Sequence, residues 1–189
     1  MTRFIYTAPP DEGLNILYCD NDLLLVDKPA GLLSVPGKGE DRQDCMIARV
    51  QREYPDALIV HRLDMMTSGI MLMARHKTSH RQLSDSFAKR AVKKQYIAWV
   101  DGQFLNQHSA RGMVDLPLIT DWINRPKQKI DFLRGKASQT RYEYLNYNET
   151  LAASRIKLMP ITGRSHQLRV HLLALGHPIL GDRLYANES

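Results

Sequence analysis

The stretch HRLDMMTSGIMLMA, residues 61–74, sets an arginine, a carboxylate, two hydroxyls and a glycine against an almost wholly apolar run, Gly69 to Ala74. A run that short, bounded by turn residues, suits a buried sheet strand better than a helix. A carboxylate at the mouth of such a strand is costly to desolvate unless something pairs with it. Asp64 is therefore either the cap of a local turn or a group held there for chemistry.

Other residues with chemical potential lie further on. VKKQYIAWVDG (92–102) reads as a strand in which Tyr96 begins an alternating set with Ala98 and Val100. On the residues alone, the commoner role for such a tyrosine is core packing with a satisfied hydroxyl. ITDWINRPKQKI (119–130) interleaves Trp122 with Arg125, Lys127 and Lys129 in a loop that Pro126 keeps from being helical. That mixture suits stacking on bases and contact with phosphates; the alternative is a solvent loop anchored by its tryptophan. In PITGRSHQLRVHLLALGHPILGD, Ser165 is placed to cap a helix whose Leu168, Leu172 and Leu175 share a face and which Gly176 ends. Arg164 then lies at the positive end of that helix, where carboxylates and phosphates are stabilised. His166 and His171 face different sides of it and lack a third ligand in sequence reach, so no metal is expected.

The segments KPAGL, HRLDMMTSG, KKQY and TGRSHQLRVH follow one another along nearly the whole chain, and in that order the chain resembles the RluA-type pseudouridine synthases. The resemblance implies an α+β pseudouridine synthase fold: a mixed, largely antiparallel bent sheet with flanking helices and a central catalytic cleft. It implies isomerisation of uridine to pseudouridine, with Asp64 as nucleophile, Tyr96 against the target base and Arg164 as ion-pair partner of the aspartate. Arg62 would fill the place of the flipped-out uridine, a role suited to a planar guanidinium. His61, Thr67 and Arg169 join Arg62, Trp122, Arg125, Lys127 and Lys129 as expected RNA contacts. Structural support rather than catalysis is expected of Lys28. The reaction adds no group and moves no electrons to an outside acceptor, so no cofactor is expected. The DWINRPKQK loop, with HRLDMMTSG and HPILGD, draws the reading toward members acting on uridine 32 of tRNA anticodon stem-loops and on a 23S rRNA uridine.

Around these residues, Ile16–Cys19 and Leu23–Val26 read as a hairpin turning at Asp20-Asn21-Asp22. Asp44 is placed to cap a helix reaching Tyr54, and Ser79 to cap a second through Leu83 and Phe87. Leu58–Val60 is a short strand, Phe104–Leu118 a weakly patterned connection, and Ser138–Asn146 and Ser154–Met159 a second strand pair. Residues 1–13 form an irregular lead-in, and residues 14–189 a single catalytic domain. The resemblance implies a further strand beyond GDRLYANES, so a C-terminal truncation is expected.

The chain of 189 residues carries 26 Lys and Arg against 20 Asp and Glu, and the resulting +6 favours a polyanionic partner. Two distant cysteines, no signal-peptide core and no stretch of the roughly 18 apolar residues a membrane span needs point to a cytoplasmic protein, and a monomer is expected. Two rival readings are a catalytically impaired RNA-binding remnant of such an enzyme and a histidine-based metal-dependent nuclease. The scattered histidine spacing disfavours the second.

Overall fold

The computed structural model describes residues 5–186, which divide into two compact units parting between Ala91 and Val92. In the first, β1 (Ile16–Cys19), β2 (Leu23–Lys28), β3 (Leu58–Ile59) and β4 (Gly69–Ala74) form one antiparallel sheet in the order β1-β2-β4-β3. The expected hairpin turn is held by Asp20, whose Oδ1 accepts the N–H groups of Asp22 and Leu23 at 2.8 Å. In β2 alternate residues Leu24, Val26 and Lys28 are buried, the period-two signature of a strand with one face in the core. β4 buries Met71, Met73 and Ala74, as its apolar run predicts. Two helices complete the unit, α1 (Met46–Glu53) and α2 (Lys77–Ala88).

The helix starts differ from the sequence expectation. Cys45, not Asp44, is the N-cap of α1, because both carboxylate oxygens of Asp44 accept from the buried Arg49 at 2.8 Å. The same guanidinium donates to the carbonyls of Pro9 and Pro10, and Tyr6 donates to the Asp44 carbonyl. Residues 5–13 are thereby pinned without regular structure, while the first four residues of the expected lead-in lie outside the described residues. α2 begins three residues earlier than Ser79 would set it. His76 is the cap: its Nδ1 accepts the Ser79 N–H at 3.2 Å, and Ser79 Oγ returns a bond to the His76 N–H, a reciprocal capping box.

In the second unit, β5 (Tyr96–Asp101), β6 (Arg111–Asp115), β9 (Gln139–Asn148) and β10 (Ala153–Pro160) pair antiparallel in the order β5-β10-β9-β6. β7 (Leu118–Thr120) and β8 (Gln128–Ile130) form a separate hairpin. Val100, Phe104, Val114, Tyr142, Ile156, Leu158 and Leu172 make the core, the last contributed by α3 (Gln167–Ala174). Gly176 follows that helix at φ 81°, a left-handed conformation that spares glycine the Cβ clash, as expected of a C′ residue. The alternating 138–146 and 154–159 segments are β9 and β10. The connection over 104–118 and the basic loop instead contain strands β6, β7 and β8. With three residues each, β7 and β8 are too short to show a period, and they pair with each other, Leu118 opposite Ile130 and Thr120 opposite Gln128.

Candidate active site

The turn that carries Asp64 is fixed from below by the loop Lys28–Gly37. Lys28 ends β2 on its core-facing side, opposite Gly69, and its ammonium is fully buried. All three of its protons are spent on carbonyls, donating to Pro29 at 2.8 Å, Leu32 at 2.7 Å and Met65 at 3.0 Å. The Met65 carbonyl also accepts the Gly31 N–H at 2.9 Å. On the other side of Asp64, Ser34 holds Leu63 twice, donating its hydroxyl to the carbonyl at 2.7 Å and accepting the N–H at 3.0 Å. The turn closes when the Thr67 N–H donates to the Asp64 carbonyl at 3.0 Å. Gly69, at φ 117°, then lets the chain enter β4 in a conformation a side chain would resist. Backbone atoms on both sides of Asp64 are thus fixed while its carboxylate stays half-exposed. Burial outweighs the opposing influence of the Asp64 carboxylate and brings the Lys28 amine down to about 8. The fold therefore keeps a cation in the electrostatic reach of Asp64.

His61 and Arg62 flank this turn with different fates. Where β3 ends, the His61 ring takes over its pairing: Nε2 accepts the Leu72 N–H of β4 at 2.9 Å. The ring also stacks on Phe87 of α2, with centroids 4.7 Å apart. Nε2 being the acceptor, neutral His61 carries its proton on Nδ1. Arg62 is exposed, and Thr67 is half-buried.

The other expected site residues belong to the second unit. Tyr96 opens β5 opposite Leu158, half-buried and packed against the core, consistent with its role as a strand tyrosine. Arg164 is exposed on the turn before α3; its Nε donates to the Ala137 carbonyl at 3.3 Å. Ser165 is not the cap there. His166 takes the N-cap position in a left-handed conformation, φ 53°, without a side-chain bond to the helix start, and the buried Gln167 braces the preceding turn. Gln167 Oε1 accepts from the Arg164 N–H at 3.0 Å and from the Thr162 hydroxyl at 2.7 Å, while its amide donates to the Gln139 carbonyl and Thr140 Oγ1. Gln167 thus ties the Arg164 turn to β9. Its three-residue spacing after Arg164 was the available signal.

Trp122 and Arg125 lie in the β7–β8 connection, the guanidinium 4.2 Å from the indole centroid. Trp122, Arg125 and Lys129 are exposed and Lys127 is half-buried. Arg169 is placed differently from these. It makes a two-pronged ion pair with the buried Asp182 at 2.7 and 2.6 Å. Burial pushes the Asp182 carboxyl up, but Arg169 and the N–H groups of Leu184 and Tyr185 overcome this and hold it below the ordinary carboxylate range. His171 is equally committed: buried, it meets Thr140 Oγ1 at 2.9 Å and the Leu116 carbonyl at 3.1 Å, and burial lowers its pKa. Among the described residues no group of three or more His, Cys, Asp or Glu side chains could hold a metal ion, and no helix is long and apolar enough to cross a membrane.

The profile of the RNA pseudouridylate synthase family matches residues 22–174. The chain is 54% identical over 182 residues to the dual-specificity RNA pseudouridine synthase RluA of Escherichia coli (strain K12), covering 96% of this chain and 81% of that protein. To its namesake in Haemophilus ducreyi it is 48% identical over 189 residues, covering 99% and 84%. Among solved structures, human RNA pseudouridylate synthase domain containing 1 superposes with a TM-score of 0.79 at 29% identity, over 96% of this chain and 74% of that one. Human RNA pseudouridylate synthase domain containing 4 gives 0.72 at 27%, over 93% and 70%. The antiparallel sheets, the three helices and the braced HRLD turn are thus those of a pseudouridine synthase, and the chain belongs to the RNA pseudouridylate synthase family.

Proposed function

We propose that this isomerase acts on structured RNA of two kinds, the anticodon stem-loop of tRNA at uridine 32 and a uridine of 23S rRNA. Support comes from the level of identity to relatives named as dual-specificity enzymes and from the Trp122–Arg125 hairpin, which offers an aromatic face and cations together. The protein works as a monomer in the cytoplasm. The observation that carries the reading is the half-buried Asp64 on a turn whose flanking backbone is fixed by Lys28 and Ser34.

In the reaction the N1–C1′ bond breaks, the uracil turns, C5 joins C1′, and the proton lost from C5 is balanced by one gained at N1. One nucleophilic carboxylate suffices: it bonds to C1′ as N1 leaves or to C6 of the uracil, and is released once C5 has joined C1′; that carboxylate is Asp64. Tyr96 lies against the uracil and assists removal of the C5 proton. Arg164 supplies the cation that counters the carboxylate charge. Arg62 takes the place of the flipped uridine, with Thr67 beside it, while Trp122, Arg125, Lys127 and Lys129 hold the surrounding loop. His61 and Arg169 serve these contacts from behind, one by extending β4 pairing and one through Asp182.

The test is tritium release from an anticodon stem-loop labelled at C5 of uridine 32, run in chelator with the parent chain and Asp64→Asn. Release by the parent alone is expected. A folded parent that binds the stem-loop without release would make the chain a binding remnant, and release by Asp64→Asn would remove Asp64 as nucleophile.

A further inference from the structure

Tyr185 stands at a junction to which the mechanism assigns no role. Its hydroxyl oxygen accepts the Gln128 N–H at 2.7 Å and lies 2.8 Å from His166 Nδ1. Gln128 begins β8, between Lys127 and Lys129; His166 is the left-handed N-cap of α3, two residues after Arg164. One oxygen therefore joins the strand that carries the hairpin's cations to the turn that carries Arg164.

The tyrosine is itself held from several directions. Its ring is buried with Leu118 of β7 and Val170 of α3, meets His166 edge-on, and lies 4.9 Å beneath the Arg169 guanidinium. Asp182, the partner of Arg169, also accepts the N–H groups of Leu184 and Tyr185 at 2.9 and 3.2 Å. A cavity of about 300 Å³ lined by Lys127, Lys129, Leu173 and Tyr185 separates hairpin and helix over part of their length. Beside that cavity the Leu118, Val170 and Tyr185 side chains hold hairpin and helix together by apolar contact, and the Tyr185 hydroxyl adds a directional polar joint.

We propose that Tyr185 is a positioning residue for RNA recognition: its hydroxyl fixes the basic strand of the hairpin against the N-terminal turn of α3. The inference rests on the hairpin being an RNA contact, as proposed above. Phenylalanine would keep the ring in its cluster and remove only the joint.

The test compares the full chain with Tyr185→Phe in a Trp99→Phe background, which leaves Trp122 as the sole tryptophan. Three quantities are read: the Tm, the time-resolved anisotropy of Trp122 without RNA, and kcat and KM for tritium release from the anticodon stem-loop. The expected result is a Tm within a few degrees, faster local motion of Trp122, and a KM raised about 5- to 10-fold with kcat within about twofold. His166→Asn tolerates the left-handed backbone but withdraws the ring nitrogen, and shifts anisotropy and KM in the same direction. It decides the matter should Tyr185→Phe lose its fold. Unchanged anisotropy and KM would reduce Tyr185 to packing and overturn the inference. If Arg125→Ala weakens binding while Tyr185→Phe does not, only the inference fails. If Tyr185→Phe loosens Trp122 and neither variant alters KM, the hairpin's RNA contact fails and takes the inference with it.

Discussion

The Lys28 ammonium donates to the Met65 carbonyl at 3.0 Å across 37 residues of sequence, and Met65 is the immediate neighbour of Asp64. A lysine on the core face of a strand contradicts hydrophobic alternation, yet here it donates to three carbonyls of the KPAGL loop and the HRLD turn, sharing that of Met65 with the Gly31 N–H. Lys28→Met keeps the volume and removes the donors, so a loss of about 2–4 kcal/mol is expected at neutral pH. Urea unfolding of the two proteins checks it, and a loss within experimental scatter would relegate Lys28 to filler.

The same lysine gives a pH signature. Its folded-state pKa is lowered to about 8 from 10.5, so between those values the unfolded chain binds more protons than the folded one. Stability relative to Lys28→Met should therefore rise with pH across that window, by an amount on the order of 3 kcal/mol, and stay level below it. Denaturant midpoints at pH 7.5 and 10 measure this. A gap that narrows as pH rises would contradict the burial of a cation at this position.

Asp64→Asn preserves shape and hydrogen-bonding reach but removes the nucleophilic charge. Turnover should fall by at least about 10³-fold, with stem-loop affinity changed no more than about twofold. Single-turnover tritium release and fluorescence anisotropy separate the two quantities.

Tyr96 offers a ring and a hydroxyl that two substitutions separate. Tyr96→Phe should lower kcat about 10-fold or more and leave KM near the parent value, because the ring still lies against the base. Tyr96→Ala should add a rise in KM through lost stacking, worth about 1–3 kcal/mol. Equal rates for parent and Tyr96→Phe would confine the residue to a platform.

At the hairpin, Arg125→Ala should weaken stem-loop binding about 5- to 10-fold and reduce the slope of log K against log salt by about 1. Titrations at several salt concentrations supply both numbers. The indole beneath the guanidinium keeps its exposure, so the circular dichroism of the variant should match the parent.

Local pattern sufficed for those elements whose cause is local. The six apolar residues of β4, the alternation of β9 and β10 and the glycine that ends α3 each declare themselves within a few positions. What the sequence hid was assigned by side chains with a stronger competing partner or by partners far along the chain. Asp44 is a good cap residue, but Arg49 competes for it; Ser165 is another, but the chain turns left-handed at His166, which becomes the N-cap instead. β7 and β8 are brought together across a proline-containing turn, and the Gln128 N–H is met by a tyrosine 57 residues away. For the candidate site, the motifs put Asp64 on a turn ahead of a strand and Arg164 just ahead of a helix, and the structure has them there. The motifs left unseen that His61 spends a ring nitrogen on Leu72 and that Arg169 is clamped to Asp182. Both depend on side chains that become neighbours only after folding.

The hydrogen bonds described around the Asp64 turn come from residues 28–67, whereas those around the hairpin and the Arg164 turn come from residues 117–185. The bonds that brace the Asp64 turn and those that brace the hairpin are therefore inherited on separate stretches of polypeptide, and the Arg164 turn shares the second stretch with the hairpin. Changes between Trp122 and Lys129 leave every brace of the Asp64 turn in place, while those at Gln128 are felt through Tyr185 at the turn before α3.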